Sequence, residues 1–340
     1  MAGSNVAQPE VSLAEIAALV REFPGPDLES ATKLLERDRL LAKPKGGLGR
    51  LEGLAEWLAT WQARHPPKLE RPAVCIFAGN HGVALSRQIS SRTSAATAKK
   101  VAGYSAGLGA VNAISQALDA DLRVFELALD SPTADFTISP AMDDADCAKA
   151  MAYGMMAVEQ GVDAIVLGQV GVGGDVSAAA LFAALYNDDP AHWLAEEGEL
   201  RNSKVQAALA GVELHGSEGK SPFELMASLG GLEIAAMAGA LVAARMGRVP
   251  VILDGLVPAA AAAVIEKQVP GGSKHCILGH VGASSAEQRL SRLYALPPVL
   301  ELGMSIGEGA GAALAVQILR AAANCYGNMG TRAELGKNFH

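Results

Sequence analysis

Five short runs of consecutive apolar residues recur along the chain, and each is followed by a longer, alanine-rich stretch with helical spacing. The runs are AVCIFAG (73–79), LRVFELAL (122–129), DAIVLGQ (163–169), VPVILDG (249–255) and HCILGH (275–280). Uninterrupted apolar runs of this length, alternating with helices, are typical of strands buried on both faces of a parallel sheet. The pattern therefore predicts an α/β fold built on a parallel sheet.

The segments outside this alternation set the expected domain organisation. Residues 11–66 have helical spacing, whereas residues 187–222 are polar and predict a surface excursion between central elements. The C-terminus is a polar tail, and no internal repeat or low-complexity linker marks a boundary. We expect a helical segment at 1–70, an α/β core at 71–330 and a tail at 331–340.

The composition narrows the kind of core and the kind of partner. Half of the 340 residues are hydrophobic but only 4% are aromatic, so alanine, valine, leucine and isoleucine must build the core. The formal net charge of −8 and the pI near 5.4 argue against a surface that binds nucleic acid. We expect no nucleic-acid partner.

Neither a targeting segment nor a membrane span is expected. The N-terminus lacks a basic region followed by a long apolar stretch, which is the pattern of a signal peptide. The most apolar region, residues 234–265, is interrupted by two arginines, a proline and an aspartate, which suits buried helices and a strand better than a bilayer span. The four cysteines are far apart and form no CxxC pair, as expected of reduced thiols in the cytoplasm.

Polar residues end four of the predicted strands, in the segments GNHGV, GQVGVGGD, LDGL and GHVG. Ligands of parallel α/β sheets bind beyond the carboxyl ends of the strands, so these segments together form the candidate site. Here Asn80 and His81 follow the first strand, and each histidine, His81 or His280, is either catalytic or a hydrogen-bonded core residue. Asp254 is either a catalytic acid or the cap of the next helix. No metal-ligand spacing is present, so we expect no metal.

A glycine-rich loop between a predicted strand and a predicted helix carries Gly171, Gly173 and Gly174. Such loops expose backbone N–H groups that bind phosphate, although a plain tight turn has the same composition. The spacing matches neither a Walker loop nor a full dinucleotide fingerprint. Lys204, in the polar excursion, is either a mobile cation that closes on such a phosphate or a solvated surface lysine.

A single carboxylate, that of Glu308, lies among Gly307, Gly309 and Gly311, just before a long apolar run. Glycines lack Cβ atoms and allow the close approach of a backbone or a ligand. The run 312–323 predicts a buried helix, which places Glu308 near its N-terminus. Glu308 is then either an active-site acid or a charge that complements the helix dipole.

Six motifs in order, KPKGGLGRLE, FAGNHGV, GGLEIAAMAGALVAA, PVILDG, GMSIGEGAGAALA and NMG, span nearly the whole chain. Together they resemble the nicotinate-nucleotide–dimethylbenzimidazole phosphoribosyltransferase family of cobalamin lower-ligand synthesis. The resemblance implies transfer of 5-phosphoribose from nicotinate mononucleotide to 5,6-dimethylbenzimidazole or a related base. The products are an α-ribazole 5′-phosphate, formed with inversion at the sugar C1′, and nicotinate. The resemblance also implies a Rossmann-like three-layer core with a smaller helical part from the chain termini, a homodimer, and no metal or organic cofactor.

The resemblance gives roles to individual residues. Glu308, the acid of the GEG motif, matches the general base that removes a proton from the acceptor base. Lys204 matches the lysine that meets the nucleotide phosphate. The glycines match backbone positions that pack against the phosphoribosyl group, and they are Gly171, Gly173 and Gly307.

Further candidates for substrate contact come from the strand ends. The segment from Asn80 to Ser94 resembles the wall of the acceptor pocket, with a one-residue insertion, and it includes His81. Asp254 and His280 complete this set.

The residues expected to contact ligands differ from the family pattern, whereas the residues expected in the core match it. Where the family has GEMGIGNTT this chain has GQVGVGGDV, which places Gln169 at a carboxylate position near the ribose. The same loop brings Asp175 towards the phosphate, where its charge repels unless the side chain turns away. The family's SHxSAE motif corresponds to GHVGASS, so a serine and a glutamate are expected to be missing around His280. Smaller differences lie at Lys45, Gly198 and Ser305.

Two functions remain open. In the first, the chain is an enzyme that makes an α-nucleotide, with a relaxed or different donor or acceptor. In the second, it is a catalytically weak relative that binds a nucleotide or base, or acts as a subunit beside a conventional partner. The presence of both Glu308 and Lys204 favours the enzyme.

Overall fold

A computed structural model describes residues 11–194, 199–216 and 218–338, and the difference near Gly198 lies outside these residues. Within them, six strands form one sheet. They are β1 (Pro72–Asn80), β2 (Asp121–Leu127), β3 (Ala164–Val172), β4 (Val251–Asp254), β5 (Cys276–Val281) and β6 (Leu300–Glu301). All five predicted strands are present. The sixth escaped prediction because two partly exposed residues give no apolar run.

The strands lie in the order β2-β1-β3-β4-β5-β6, and every neighbouring pair is parallel. From β1 the chain moves to one edge through β2, and then to the other edge from β3 onward. The direction of winding therefore reverses between β1 and β3. In open parallel sheets the ligand site lies beyond the carboxyl ends of the strands at such a reversal.

Alternate residues of the central strands contact two separate hydrophobic clusters. On β1, Cys75 and Phe77 belong to one cluster, and Val74 and Ile76 belong to the other. Successive side chains of a strand point to opposite faces, so both faces of the sheet are covered. This is the three-layer α/β arrangement that the apolar runs and the family resemblance predict.

Helices cover both faces of the sheet. In the described residues they are α1 (Leu13–Leu19), α2 (Leu28–Leu40), α3 (Arg50–Gln62), α4 (Val83–Ser86), α5 (Ala95–Ser105), α6 (Ala110–Ala117), α7 (Asp144–Met155), α8 (Gly174–Tyr186), α9 (Glu199–His215), α10 (Pro222–Leu229), α11 (Leu232–Met246), α12 (Leu256–Gln268), α13 (Ser285–Leu290), α14 (Ala310–Asn328) and α15 (Arg332–Asn338). None of these helices is long and apolar enough to cross a bilayer.

The N-terminal helices pack against α14, near the other end of the chain. Arg37 on α2 donates a hydrogen bond of 3.0 Å to the carbonyl of Met329, and the Tyr326 hydroxyl donates one of 2.5 Å to Asp38. Leu319 of α14 lies in the same hydrophobic cluster as one face of the sheet. The helical part formed by the chain termini thus shares a hydrophobic core with the sheet.

The polar segment 187–222 contains a helix that its composition did not predict. Most of its described residues form α9, which packs on α8 and buries Ala207 and Ala208. The helix was missed because a few small apolar residues on one face are enough to pack it against α8. Such a face leaves little trace in a segment with many charged residues.

Candidate active site

Three adjoining cavities lie at the carboxyl edge of the sheet, close to the reversal between β1 and β3. Their volumes are about 130, 220 and 340 Å³, and Gln169 near the end of β3 lines all three. Glu287, Gly307 and Glu308 line both the first and the second. The lining also includes Asp254, Val257 and His280 in the first cavity, Arg92 and Lys100 in the second, and Arg92, Gly171, Gly173, Gly174, Asp175, Lys204 and Val257 in the third.

Glu308 lies on the turn that leads into α14, as the glycine pattern predicts. Its φ of +64° falls close to those of its neighbours Gly307, +65°, and Gly309, +80°. This left-handed region suits glycine, whereas a glutamate held there carries backbone strain. The Glu308 residue is only 8% exposed and its side chain reaches the first and second cavities. A strained, nearly buried carboxylate at a cavity wall is typical of a functional group.

Asp254, at the end of β4, fixes this turn. Its Oδ2 accepts a hydrogen bond of 2.7 Å from the backbone N–H of Gly309, and its Oδ1 accepts one of 2.9 Å from that of Ala312. Asp254 therefore caps α14, a helix far along the chain, rather than the helix that follows it. Burial, helped by the charges of Glu287 and Glu308, outweighs the two hydrogen bonds and raises the pKa of Asp254 to about 6.

The substitution Asp254→Asn is expected to loosen the turn, because an amide nitrogen would face one of the two backbone N–H groups. A buried donor left without an acceptor costs about 1–3 kcal/mol, so we expect a lower thermal midpoint at pH 7. The raised pKa has a second effect: the Asp254 contribution to stability declines as pH rises from about 4 to about 6. Melting curves over pH 4–8 should show this decline in the wild type alone, and parallel profiles would contradict the assignment.

Lys100 and Tyr104, one turn apart on α5, face the Glu308 carboxylate. The Lys100 ammonium forms an ion pair with Glu308 Oε1. The Tyr104 hydroxyl is buried and meets hydrogen-bond geometry with none of the described residues, but burial and the nearby Glu308 carboxylate raise its pKa. These two residues hold the carboxylate at the boundary of the second cavity. Sequence reasoning missed them because the ion pair joins residues 208 positions apart.

The glycine loop between β3 and α8 forms one wall of the third cavity. A Cβ added at Gly171 would collide with the carbonyl oxygen of Gly79, so only glycine permits this approach of the two strand ends. Gly173, with φ +95°, caps α8, which begins at Gly174. The unpaired N–H groups of the first turn of a helix bind anions, and here they lie at the cavity wall.

Lys204 reaches the third cavity from α9. Its Nζ lies 2.6 Å from Asp175 Oδ2, and its side chain is 8% exposed, which rules out the solvated surface lysine. Asp175 does not place an unbalanced negative charge at the cavity, because Lys204 pairs with it. Arg92 lines the same cavity and brings a further positive charge. The third cavity therefore has the donors and the charge to hold a phosphate.

His81 lies behind the wall of the third cavity, in a buried cluster with Glu233 and Ser177. Its Nε2 is 2.6 Å from Glu233 Oε1, and its Nδ1 is 2.9 Å from Ser177 Oγ. Burial alone lowers the pKa of His81, but the Glu233 carboxylate more than offsets this and raises it. A Cβ added at Gly173 would lie 2.9 Å from the Cβ of His81, so the cluster supports the glycine loop from behind.

Asn80 and Ser94 also lie outside the lining of the three cavities. The Asn80 amide donates a hydrogen bond of 3.1 Å to the carbonyl of Leu129, and its oxygen accepts one of 2.6 Å from the Thr97 hydroxyl. A weaker bond of 3.4 Å joins the Asn80 amide to the carbonyl of Ser94. These contacts tie the end of β1 to α5, which carries Lys100.

Gln169 is the side chain common to all three cavities. Its Nε2 is buried and has no hydrogen-bond partner among the described residues. Leaving such a donor unpaired costs about 1–3 kcal/mol. An amide in this state is suited to donate to an oxygen of a bound ligand.

The glutamate expected to be missing near His280 is present. Glu287, in the first turn of α13, lines the first and second cavities. The prediction was wrong because extra residues after His280 move an SAE sequence to 285–287, and the loop then returns its carboxylate to the cavity. His280 lines the first cavity, where burial lowers its pKa and its Nε2 lies 3.4 Å from the backbone nitrogen of Met304. The described residues contain no cluster of three or more His, Cys, Asp or Glu suited to a metal ion.

Comparison with known proteins identifies the class of protein as a phosphoribosyltransferase. A phosphoribosyltransferase family model matches residues 23–336. Nicotinate-nucleotide–dimethylbenzimidazole phosphoribosyltransferases are similar over almost the whole chain: the protein from Rhizobium leguminosarum bv. trifolii is 46% identical over 95% of this chain and 96% of its own length. The one from Brucella anthropi is 43% identical over 94% and 95%.

A solved structure agrees with these relatives. The crystal structure of the nicotinate-nucleotide–dimethylbenzimidazole phosphoribosyltransferase of Thermus thermophilus superposes with a TM-score of 0.84 at 29% identity, covering 91% of this chain and 98% of that one. The chain therefore belongs to the nicotinate-nucleotide–dimethylbenzimidazole phosphoribosyltransferase family.

Proposed function

We propose that this protein transfers 5-phosphoribose from nicotinate mononucleotide to 5,6-dimethylbenzimidazole or a related base in cobalamin biosynthesis. The products are an α-ribazole 5′-phosphate and nicotinate. The observation that carries the proposal is the position of Glu308, a strained and nearly buried carboxylate at the junction of two cavities. A third cavity suited to phosphate adjoins them.

In this reaction the unprotonated ring nitrogen of the acceptor attacks C1′ of the ribose. The bond from C1′ to the nicotinate nitrogen breaks, and its electron pair leaves with nicotinate. The second ring nitrogen of the acceptor gives its proton to Glu308, which acts as the general base. Inversion at C1′ requires the acceptor and the leaving group to lie on opposite sides of the sugar. Two adjoining cavities that share Gln169, Glu287 and Glu308 support this geometry.

The donor phosphate binds in the third cavity. Lys204 and the N-terminus of α8 supply the positive charge and the N–H donors, and Gly171 and Gly173 allow the backbone to come close. Asp175 pairs with Lys204 and keeps its ammonium at the cavity when no phosphate is bound. Gln169 donates from its unpaired Nε2 to an oxygen of the ribose.

The remaining candidates act through these groups. Asp254 holds the turn of Glu308, and His81 supports the glycine loop. His280 lines the first cavity and contacts the base that occupies it. Asn80 and Ser94 position α5 and, with it, Lys100.

The protein works as a cytoplasmic homodimer without a cofactor, with a helical segment at 1–70, a core at 71–330 and a tail at 331–340. The similarity of nearly the whole chain to the family supports these features. A catalytically weak or inactive relative, which binds a nucleotide or base or acts as a subunit beside a conventional partner, is the weaker hypothesis, because both Glu308 and Lys204 are present at the cavities. Light scattering during gel filtration measures the oligomeric state.

The test of the function is mass spectrometry of reaction mixtures containing purified protein, nicotinate mononucleotide and 5,6-dimethylbenzimidazole. We expect a nucleotide with the mass of α-ribazole phosphate and an equal amount of nicotinate. The absence of product, while a conventional family enzyme is active in parallel, would contradict this choice of substrates. Ligand-induced thermal stabilisation without product would then favour the binding protein.

A further inference from the structure

The Glu287 carboxylate is fixed between two backbone segments at the junction of the first and second cavities. A Cβ added at Gly255 would lie 3.5 Å from its Oε1, and one added at Gly282 would collide with its Oε2. The Ser284 hydroxyl caps α13 by accepting a hydrogen bond of 3.2 Å from the Glu287 backbone N–H. Glu287 is therefore a positioned acid rather than a side chain extended into solvent.

The three carboxylates near this junction differ in their partners. Glu308 is paired with Lys100, and Asp254 receives two backbone hydrogen bonds. Glu287, in contrast, has no ion-pair partner within residues 11–194, 199–216 and 218–338. Burial raises the pKa of Glu287, and a backbone hydrogen bond from Gly282 opposes the rise. Asp254 lines the first cavity alone, so Glu287 is the carboxylate that lines both cavities and has no cation beside it among the described residues.

The proposed reaction creates a need for such a charge. Displacement at the C1′ of a ribose passes through a transition state in which positive charge develops on C1′ and the ring oxygen, as in glycoside hydrolysis. A fixed charge aimed at the place where charge develops lowers the barrier without reorganisation. Glu308 is committed to the proton of the acceptor and is paired with Lys100.

We propose that Glu287 is a second catalytic carboxylate, whose negative charge stabilises the cationic ribosyl group between the first and second cavities. The inference rests on the proposed phosphoribosyl transfer and adds a residue to it. No bond forms to Glu287: the acceptor nitrogen forms the new bond to C1′, nicotinate takes the electron pair of the old one, and the proton goes to Glu308. Glu287 contacts the ribosyl ring as an ion.

The first arm of the test compares the kcat of Glu287→Gln with that of the wild type, using nicotinate mononucleotide and 5,6-dimethylbenzimidazole. Loss of one charge aimed at a transition state lowers kcat by about 100-fold, whereas the KM of the donor should change little. The matched control is Glu213→Gln, an exposed glutamate on α9, which should retain wild-type kcat. A kcat for Glu287→Gln within threefold of the wild type would overturn the proposal.

The second arm separates Glu287 from a structural role. Gln169 lines the same two cavities from another element, so Gln169→Glu restores a negative charge to the junction while removing the hydrogen bond proposed from its amide to the ribose. In the Glu287→Gln background this second substitution should recover kcat by about tenfold. Recovery from a residue on β3 is not expected if Glu287 only holds its loop. A fall in kcat without recovery, accompanied by a lower thermal midpoint, would overturn the catalytic role.

The third arm removes proton transfer from the reaction. With 1,5,6-trimethylbenzimidazole as acceptor, the unmethylated nitrogen attacks and the cationic product has no proton to lose. In a Glu308→Ala background, which leaves room for the methyl group, Glu287→Gln should still lower kcat by about 100-fold. If wild-type protein yields no product with dimethylbenzimidazole, the proposed choice of substrates is refuted, and the role of Glu287 in that reaction falls with it. An active wild type with a Glu287→Gln variant whose kcat lies within threefold of it refutes the Glu287 proposal alone.

Discussion

Glu308→Gln lowers kcat with 5,6-dimethylbenzimidazole by between about 10²- and 10⁴-fold, the range that a positioned general base contributes. The amide keeps the shape of the side chain on the strained turn, so the backbone held by Asp254 is expected to remain in place. The KM of the donor should change less than threefold, because the third cavity does not include Glu308. Steady-state kinetics with the nicotinate product as readout measure both quantities.

The matching control uses an acceptor that needs no base. Glu308→Ala should be nearly inactive with dimethylbenzimidazole but active with 1,5,6-trimethylbenzimidazole, from which no proton is removed. Equal losses with the two acceptors would show that Glu308 does something other than take a proton. A melting curve shows whether a variant is folded. The test of Glu308 would be lost only if both the Gln and the Ala variants failed to fold.

Lys204→Met raises the KM of nicotinate mononucleotide by about 10- to 100-fold, which corresponds to the roughly 1.5–3 kcal/mol of a hydrogen bond to a charged group. Methionine keeps the length of the side chain but leaves Asp175 unpaired at the cavity, so the phosphate meets a negative charge. With nicotinate riboside, which has no phosphate, the same substitution should have little effect. The ratio of the two KM changes isolates the phosphate contact.

Two further variants test the pairing of Lys204 with Asp175. Asp175→Asn removes the anion that competes with phosphate for the ammonium, so it should lower the KM of nicotinate mononucleotide. Lys99→Met, at an exposed position on α5, is the matched control and should leave the KM unchanged. Equal KM increases for donors with and without phosphate would remove Lys204 from the phosphate site.

The parts of the molecule that sequence reasoning anticipated are those encoded locally. Each strand is a short apolar run, and burial on both faces requires that pattern. The GEGAG segment predicts a turn before a helix, and the structure has that turn, with Glu308 on it. Family resemblance added roles to these residues, but the strand ends alone already predicted the edge of the sheet at which the cavities lie.

The parts that escaped prediction depend on contacts between distant segments. No local pattern indicates that His81 pairs with Glu233, 152 positions later, or that Lys100 pairs with Glu308. Glu287 was misjudged because a motif was compared position by position, whereas the loop after His280 absorbs the extra residues. Lys204 lies in a charged segment whose seating on α8 depends on small side chains. Tertiary packing, rather than local pattern, decides these cases.

Helix α14 connects the turn that carries Glu308 with the N-terminal helices. Its 19 residues span about 28 Å, with the Glu308 turn before its first residue and the contacts of Tyr326 and Met329 with α2 at its far end. The helix is rigid, so its contacts with the N-terminal helices at one end fix the position of the catalytic turn at the other end. Substitution of Asp38 by alanine, which removes the hydrogen bond from the Tyr326 hydroxyl, should therefore misalign the turn and reduce turnover while the sheet itself persists.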